Sequence, residues 1–178
     1  MRRLGFAVSA TLATGAVLAC MAFGLRTQSA AGKAAQSATA AAAQVPAAGK
    51  AIELASAVQI EPRQLAELLS ETKGEKPVVL HVGFKNFYEQ ARIPGSDYAG
   101  PGSKPEGLEL LRKRVASLQH KQLIVLYCGC CPWDKCPNAK PAYDALHAMG
   151  FTNVKVVHIA TDFGTNWLNA GLPVTKGQ

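Results

Sequence analysis

Leu123-Ile124-Val125-Leu126-Tyr127-Cys128-Gly129-Cys130-Cys131-Pro132-Trp133-Asp134-Lys135-Cys136-Pro137-Asn138 is the stretch on which the reading of this chain turns. Its first five residues are apolar and include β-branched side chains, the pattern of a strand buried on both faces of a parallel sheet. The strand runs into Cys128. After a polar, proline-containing loop a helix begins near Asn138, which reads as its N-cap, with Pro141 tolerated in the first turn. That helix runs to Met149, and Gly150 caps its end. In open α/β folds the strand-to-helix loop is where ligands bind, because backbone N–H groups and the helix dipole there stabilise an anion. A Cys128 thiolate at this place is therefore expected to have a depressed pKa. The thiolate is the nucleophilic form, suited to attack on electrophilic sulfur, phosphorus or arsenic.

Working outward, Val78 to Val82 and Val154 to Ile159 are two more short apolar runs of the same kind. Glu61 and Pro62 open a helix carrying Leu65, Leu68 and Leu69, which Lys73-Gly74 ends. Ile93-Pro94-Gly95 marks a turn. Gly107 to Leu118 has a helical period of leucine and valine with Arg112, Lys113 and Arg114 on the outer face. Strands alternating with helices imply an α/β fold, a small parallel β-sheet with helices on both faces.

The remainder of the chain is organised around that domain. Of 178 residues, 1–31 read as a signal peptide or membrane anchor, 32–57 as an Ala-rich flexible linker, and 58–178 as the folded domain. Arg2 and Arg3 precede the uncharged run Leu4 to Leu25, which Arg26 ends, so the domain is expected to lie outside the cytoplasm, periplasmic or membrane-anchored. Cleavage after Ser29, Ala30 and Ala31 would release it; retention would leave residues 4–25 as an anchor with the two arginines inside. Val17-Leu18-Ala19-Cys20 also has the form of a lipoprotein site, although the residues after Cys20 are unusually apolar for one. Residues 30–57 hold 14 alanines and few large side chains, the composition of a tether. The net charge of +7 divides unevenly, with five basic residues against one acidic up to residue 55 and fourteen against eleven beyond it. A domain near charge balance, without a basic stripe, is a poor match for nucleic acid.

Four of the five cysteines, Cys128, Cys130, Cys131 and Cys136, fall within nine residues, a density that packing does not require. Around them the chain resembles the rhodanese-like domains over roughly residues 58–176. Val78-Val79-Leu80-His81-Val82 matches the family's first buried strand, and Ala91-Arg92-Ile93-Pro94-Gly95-Ser96 stands for its Gly-His-Ile-Pro-Gly-Ala. Ile124-Val125-Leu126-Tyr127-Cys128 matches the strand that delivers the family's cysteine. Gly150-Phe151-Thr152-Asn153-Val154 and Trp167-Leu168-Asn169-Ala170-Gly171-Leu172-Pro173-Val174 match the closing segment. The resemblance implies a sulfurtransferase in which Cys128 accepts sulfane sulfur as a persulfide and passes it from a small sulfur donor to a thiol or other nucleophilic acceptor. It implies no cofactor and no metal.

The departures are specific. The family's Asp-Val-Arg is here His81-Val82-Gly83, its double glycine before the closing tryptophan is replaced near Asp162 and Phe163, and its six-residue loop is longer and cysteine-rich. Lys135 is the loop's only cation, fewer than a site specific for the thiosulfate dianion would present, so the donor is open between thiosulfate and another sulfane-sulfur compound. Phosphatases and arsenate reductases of similar architecture need arginine six residues after the cysteine, where this chain has Asp134. Two other readings stand beside sulfur transfer. In an exported protein close cysteines oxidise: Cys128 and Cys131 have the spacing of a redox pair for thiol–disulfide chemistry, and a disulfide from Cys130 or Cys131 to Cys136 would brace the loop. Four thiols could also hold Zn²⁺ or Cu⁺ in a non-catalytic module, although the spacing is tighter than in paired knuckles.

His81, Arg92 and Asn138 are the candidates to support the loop: His81 as a base or donor at a strand end, Arg92 to steer an anion. Trp133 is placed at the mouth of the site and Trp167 in the core. His158 has the same standing as His81, while His120 and His147 read as solvated.

Overall fold

The apolar runs become the middle of one parallel sheet. The computed structural model describes residues 54–177. A 3₁₀ turn over Ser56–Val58 leads into β1 (Gln59–Ile60), followed by α1 (Pro62–Ser70), β2 (Val78–His81), α2 (Lys85–Gln90) and β3 (Asp97–Tyr98). Then come α3 (Pro105–Val115), β4 (Ile124–Tyr127), α4 (Ala139–Ala148) and β5 (Val154–Val157), and the chain closes through a π-helical turn at Gly164–Leu168. The strand order is β1-β5-β4-β2-β3, every pair parallel, with β4 central.

Period-two alternation divides the side chains between two layers. Leu80, Leu126 and Val156 pack with Leu111 and Val115 of α3 and Ala142 and Leu146 of α4. Val79, Val125, Tyr127 and Val157 pack on the other face with Leu65 of α1, Ile93 and Trp167. Trp167 is fully buried and its Nε1–H donates to the Pro173 carbonyl at 2.8 Å, which places it in the core as expected.

Several boundaries differ from expectation for local reasons. The helix expected from Gly107 starts at Pro105, because proline's fixed φ suits the first helical position. Gly107 stays because a Cβ there would lie 2.1 Å from the Pro101 carbonyl oxygen. α2 has no counterpart in the sequence reading, since Phe84 and Phe87 are each 40% exposed and give no inward apolar stripe. β1 and β3 have two residues each, too few to show a period. Packing also starts earlier than the linker boundary: Leu54 is buried in the core and its carbonyl accepts from Gln59 Nε2 at 2.9 Å.

The Leu4 to Leu25 run, the cleavage residues, Cys20 and most of the linker lie outside the described residues. Among the described residues no helix is long and apolar enough to cross a membrane.

Candidate functional site

The central strand ends at Tyr127, whose backbone and hydroxyl anchor the approach to the cysteines. The Val82 N–H donates to the Tyr127 carbonyl at 2.8 Å, and Ser96 Oγ shares a hydrogen bond with the Tyr127 hydroxyl at 2.9 Å. The Ile93-to-Ser96 turn is thereby tied to the strand that carries Cys128, and Ser96 Oγ also donates to the Ile93 carbonyl. Beyond Cys128 the chain must turn at once. Gly129 does so at φ +143°, under Phe163, whose N–H donates to the Gly129 carbonyl at 3.0 Å. A Cβ on Gly129 would stand 2.7 Å from Phe163 Cβ. Gly129→Ala is expected to lower unfolding free energy by about 1–3 kcal/mol in chemical denaturation; an unchanged midpoint would show that this contact is soft.

The loop then forms a 3₁₀ turn at Trp133–Lys135, held by the Trp133 N–H to the Ala160 carbonyl at 3.1 Å. Its effect is to fold Cys130, Cys131 and Cys136 back around Cys128. Cys130 Sγ lies 3.3 Å from both Cys128 Sγ and Cys131 Sγ. Cys128 and Cys136 are buried, Cys130 and Cys131 half-buried, and all four are free thiols.

Asn138 occupies the N-cap position of α4, but its side chain makes no capping hydrogen bond. It is fully buried and turned toward the sulfurs: Nδ2 faces Cys128 Sγ at 3.5 Å and Cys130 Sγ at 3.8 Å. Its Oδ1 accepts from the Ser103 N–H at 3.1 Å and Ser103 Oγ at 2.7 Å, which fixes the amide's orientation.

The distribution of acidity departs from the expectation for Cys128. Hydrogen bonds to Cys130, Cys131 and Cys136, together with burial, hold the Cys128 thiol well above its ordinary pKa. Cys130 is lowered to about 6, first by the hydrogen bond from Cys128. Cys136 is lowered to about 7, again first by Cys128, then by the backbone amides of Asn138 and Ala139. The helix N-terminus thus serves Cys136, and Cys128 is the proton donor of the cluster. Asn138→Ala removes a donor to the Cys130 sulfur. The pH midpoint for alkylation of Cys130 by iodoacetamide is expected to move up from about 6; no movement would mean that the amide does not stabilise the thiolate.

Cys128, Cys130 and Gly129 line a pocket of about 280 Å³ with His81, Tyr127, Phe163 and Asp162. His81 is 3% exposed and enclosed by the rings of Tyr127, Tyr88 and Tyr98, at centroid distances of 4.8, 5.5 and 6.1 Å. Burial lowers its pKa to about 4, so it is a neutral imidazole at neutral pH and only a weak base. Gly83 makes room for it: a Cβ there would be 2.9 Å from His81 Cε1 and 3.1 Å from Cys128 Sγ. Among the residues that line this pocket there is no lysine or arginine, and Asp162 is occupied by Thr165, whose N–H donates to Oδ1 at 2.7 Å.

Other candidates lie elsewhere. The Arg92 guanidinium sits 5.0 Å over the Tyr88 ring and donates to the Gly177 carbonyl, and Arg92 is not part of the pocket wall. Pro132, Asp134 and Lys135 are exposed on the outer side of the loop. Trp133 packs edge-on against His158 at 5.0 Å instead of at the pocket mouth, and His158 Nδ1 meets Glu61 Oε1 at 3.0 Å. His120 and His147 are exposed, as expected. Ser103 escaped the sequence reading because it lies 35 residues before Asn138. Gly83 and Phe163 were visible only as departures from the family pattern. Among the described residues no set of three or more His, Cys, Asp and Glu side chains is arranged to hold a metal ion.

No family model and no curated protein matches the sequence. Solved structures do. The Alr3790 protein from Anabaena sp., part of which also has a solution structure as a rhodanese-like domain, is 19% identical with a TM-score of 0.51, over 66% of this chain and 92% of that one. BH2092 from Bacillus halodurans is 20% identical with a TM-score of 0.52, over 66% of this chain and 76% of that one. A thiosulfate sulfurtransferase from Pseudomonas aeruginosa is 19% identical with a TM-score of 0.50; the match covers 67% of this chain and 20% of that one. The described domain therefore has a rhodanese-like fold, with Cys128 directly after its central parallel strand.

Proposed function

We propose that this protein is an exported or membrane-tethered sulfurtransferase that carries sulfane sulfur as a persulfide on Cys128. The observation that carries the reading is the position of Cys128 at the end of the central strand, at the base of the pocket, with three thiols and the Asn138 amide around its sulfur. Cys128 attacks the donor as its thiolate, and its proton passes to the donor's leaving group, so the Cys130 thiolate beside it at 3.3 Å is left as it was. An S–S bond forms to the sulfane sulfur, and the donor's own bond to that sulfur breaks with the electron pair departing on the leaving group. An acceptor thiolate then takes the outer sulfur, and Cys128 leaves as thiolate. A pocket with aromatic walls and no cation favours an organic persulfide or polysulfide donor over thiosulfate, which carries two negative charges.

The test is to mix the reduced, desalted full-length chain with glutathione persulfide, alkylate at short times, and map the loop peptides by mass. The extra sulfur is expected on Cys128. Finding it only on Cys130, Cys131 or Cys136 would overturn the assignment.

A further inference from the structure

We infer that Cys130 resolves the Cys128 persulfide, so that the domain reduces sulfane sulfur to hydrosulfide and stores the oxidation as a Cys128–Cys130 disulfide. The inference rests on Cys128 carrying the persulfide. Cys130 Sγ is already 3.3 Å from Cys128 Sγ, and a disulfide needs about 2.05 Å, so the approach is short. Gly129 between them, at φ +143°, supplies the tight backbone turn. Asn138 Nδ2 faces both sulfurs, at 3.5 and 3.8 Å, and keeps them on one side of the loop. Cys131 and the Asn138 amide, which also lower the Cys130 pKa, still face its sulfur once the Cys128 S–H has been replaced by sulfur, so Cys130 keeps partners for a thiolate.

The step balances as written. The Cys130 thiolate attacks the inner sulfur of Cys128–S–SH and forms the Cys128–Cys130 bond. The bond between the two persulfide sulfurs breaks, and the outer one leaves as HS⁻ with the electron pair. One sulfane sulfur gains two electrons, and two cysteines lose them. Resetting requires an external dithiol, which becomes a disulfide as the two cysteines return to thiols. Half-buried Cys130 is the sulfur such a reductant reaches first. Geometry decides between this route and transfer to an outside thiol. A well-oriented internal nucleophile acts at an effective concentration on the order of 10⁵ M or more, against roughly millimolar free thiols.

The experiment uses the reduced full-length chain and its Cys130→Ser variant, each given one equivalent of glutathione persulfide, rapidly desalted, and followed without added thiol. Wild type is expected to release one sulfide per chain and to show a Cys128–Cys130 disulfide by peptide mapping. Cys130→Ser is expected to retain the extra sulfur and to release sulfide on the order of a hundredfold more slowly or less. In a separate reaction with excess glutathione persulfide, dithiothreitol should let wild type release many sulfides per chain, faster than the same mixture without protein. Wild type that keeps the sulfur until a thiol is added, or a disulfide to Cys131 or Cys136 instead, overturns this inference and leaves the sulfurtransferase reading intact. Failure of both proteins to take up sulfur overturns the sulfurtransferase reading itself.

Discussion

Cys128→Ser is expected to reduce sulfane-sulfur uptake by on the order of a thousandfold or more, the scale of removing a covalent nucleophile. The change is conservative in volume at a site 5% exposed, so the fold should persist and the loss should be one of chemistry. Turnover of an organic persulfide, with circular dichroism as the check on folding, measures it. Full activity in Cys128→Ser, together with its loss in Cys131→Ser or Cys136→Ser, would move the nucleophile elsewhere in the loop. A second readout separates the electrostatic role of Cys128 from its chemical one. Its S–H is the first cause of the lowered pKa of both Cys130 and Cys136. Cys128→Ala should therefore raise both alkylation midpoints, and midpoints that stay put would mean that the thiols do not share protons.

The second large effect concerns acid stability. The His81 pKa falls from 6.5 in the unfolded chain to about 4 in the fold, because burial disfavours the imidazolium. Below pH 6.5 the unfolded chain binds a proton that the native state refuses, so this contribution is complete above that pH and is lost as pH falls toward 4. The loss is on the order of 3 kcal/mol. No hydrogen-bond partner for His81 Nδ1 offsets it. His81→Phe fits the tyrosine enclosure and has nothing to titrate. Urea denaturation at neutral pH and near pH 4 should show a smaller drop for the variant, since the thiols and carboxylates are common to both proteins. Equal drops would exclude His81 as the acid-sensitive group.

What the sequence made legible was set by how locally each feature is encoded. β2, β4 and β5 announce themselves because strands buried on both faces read as unbroken apolar runs, and burial is what the runs describe. α2 does not, because Phe84 before it and Phe87 within it both face outward, Phe87 on the pocket wall. The cysteine loop was visible as a cluster, but the ranking of its acidities was not. Which sulfur receives the helix amides depends on the 3₁₀ turn that brings Cys136 under Asn138 and Ala139. Asn138 is the sharpest case. Its residue type and place predicted a cap, yet a partner 35 residues away turned its amide to the thiols.

The placement of the cysteines on the middle strand also fixes an order of events while the chain folds. β4 joins β2 and β5, whose residues lie far away in the chain and reach it only through crossovers. Such pairing is slow, whereas segments about ten residues long close on themselves in roughly 10–100 ns. The loop sulfurs, confined to nine residues, therefore meet one another many times before the sheet exists. At that stage any of the pairings among them is open to an oxidant. A chain oxidised early traps a statistical mixture of loops, while one that folds with its thiols reduced meets the oxidant with Cys128 and Cys130 already facing each other.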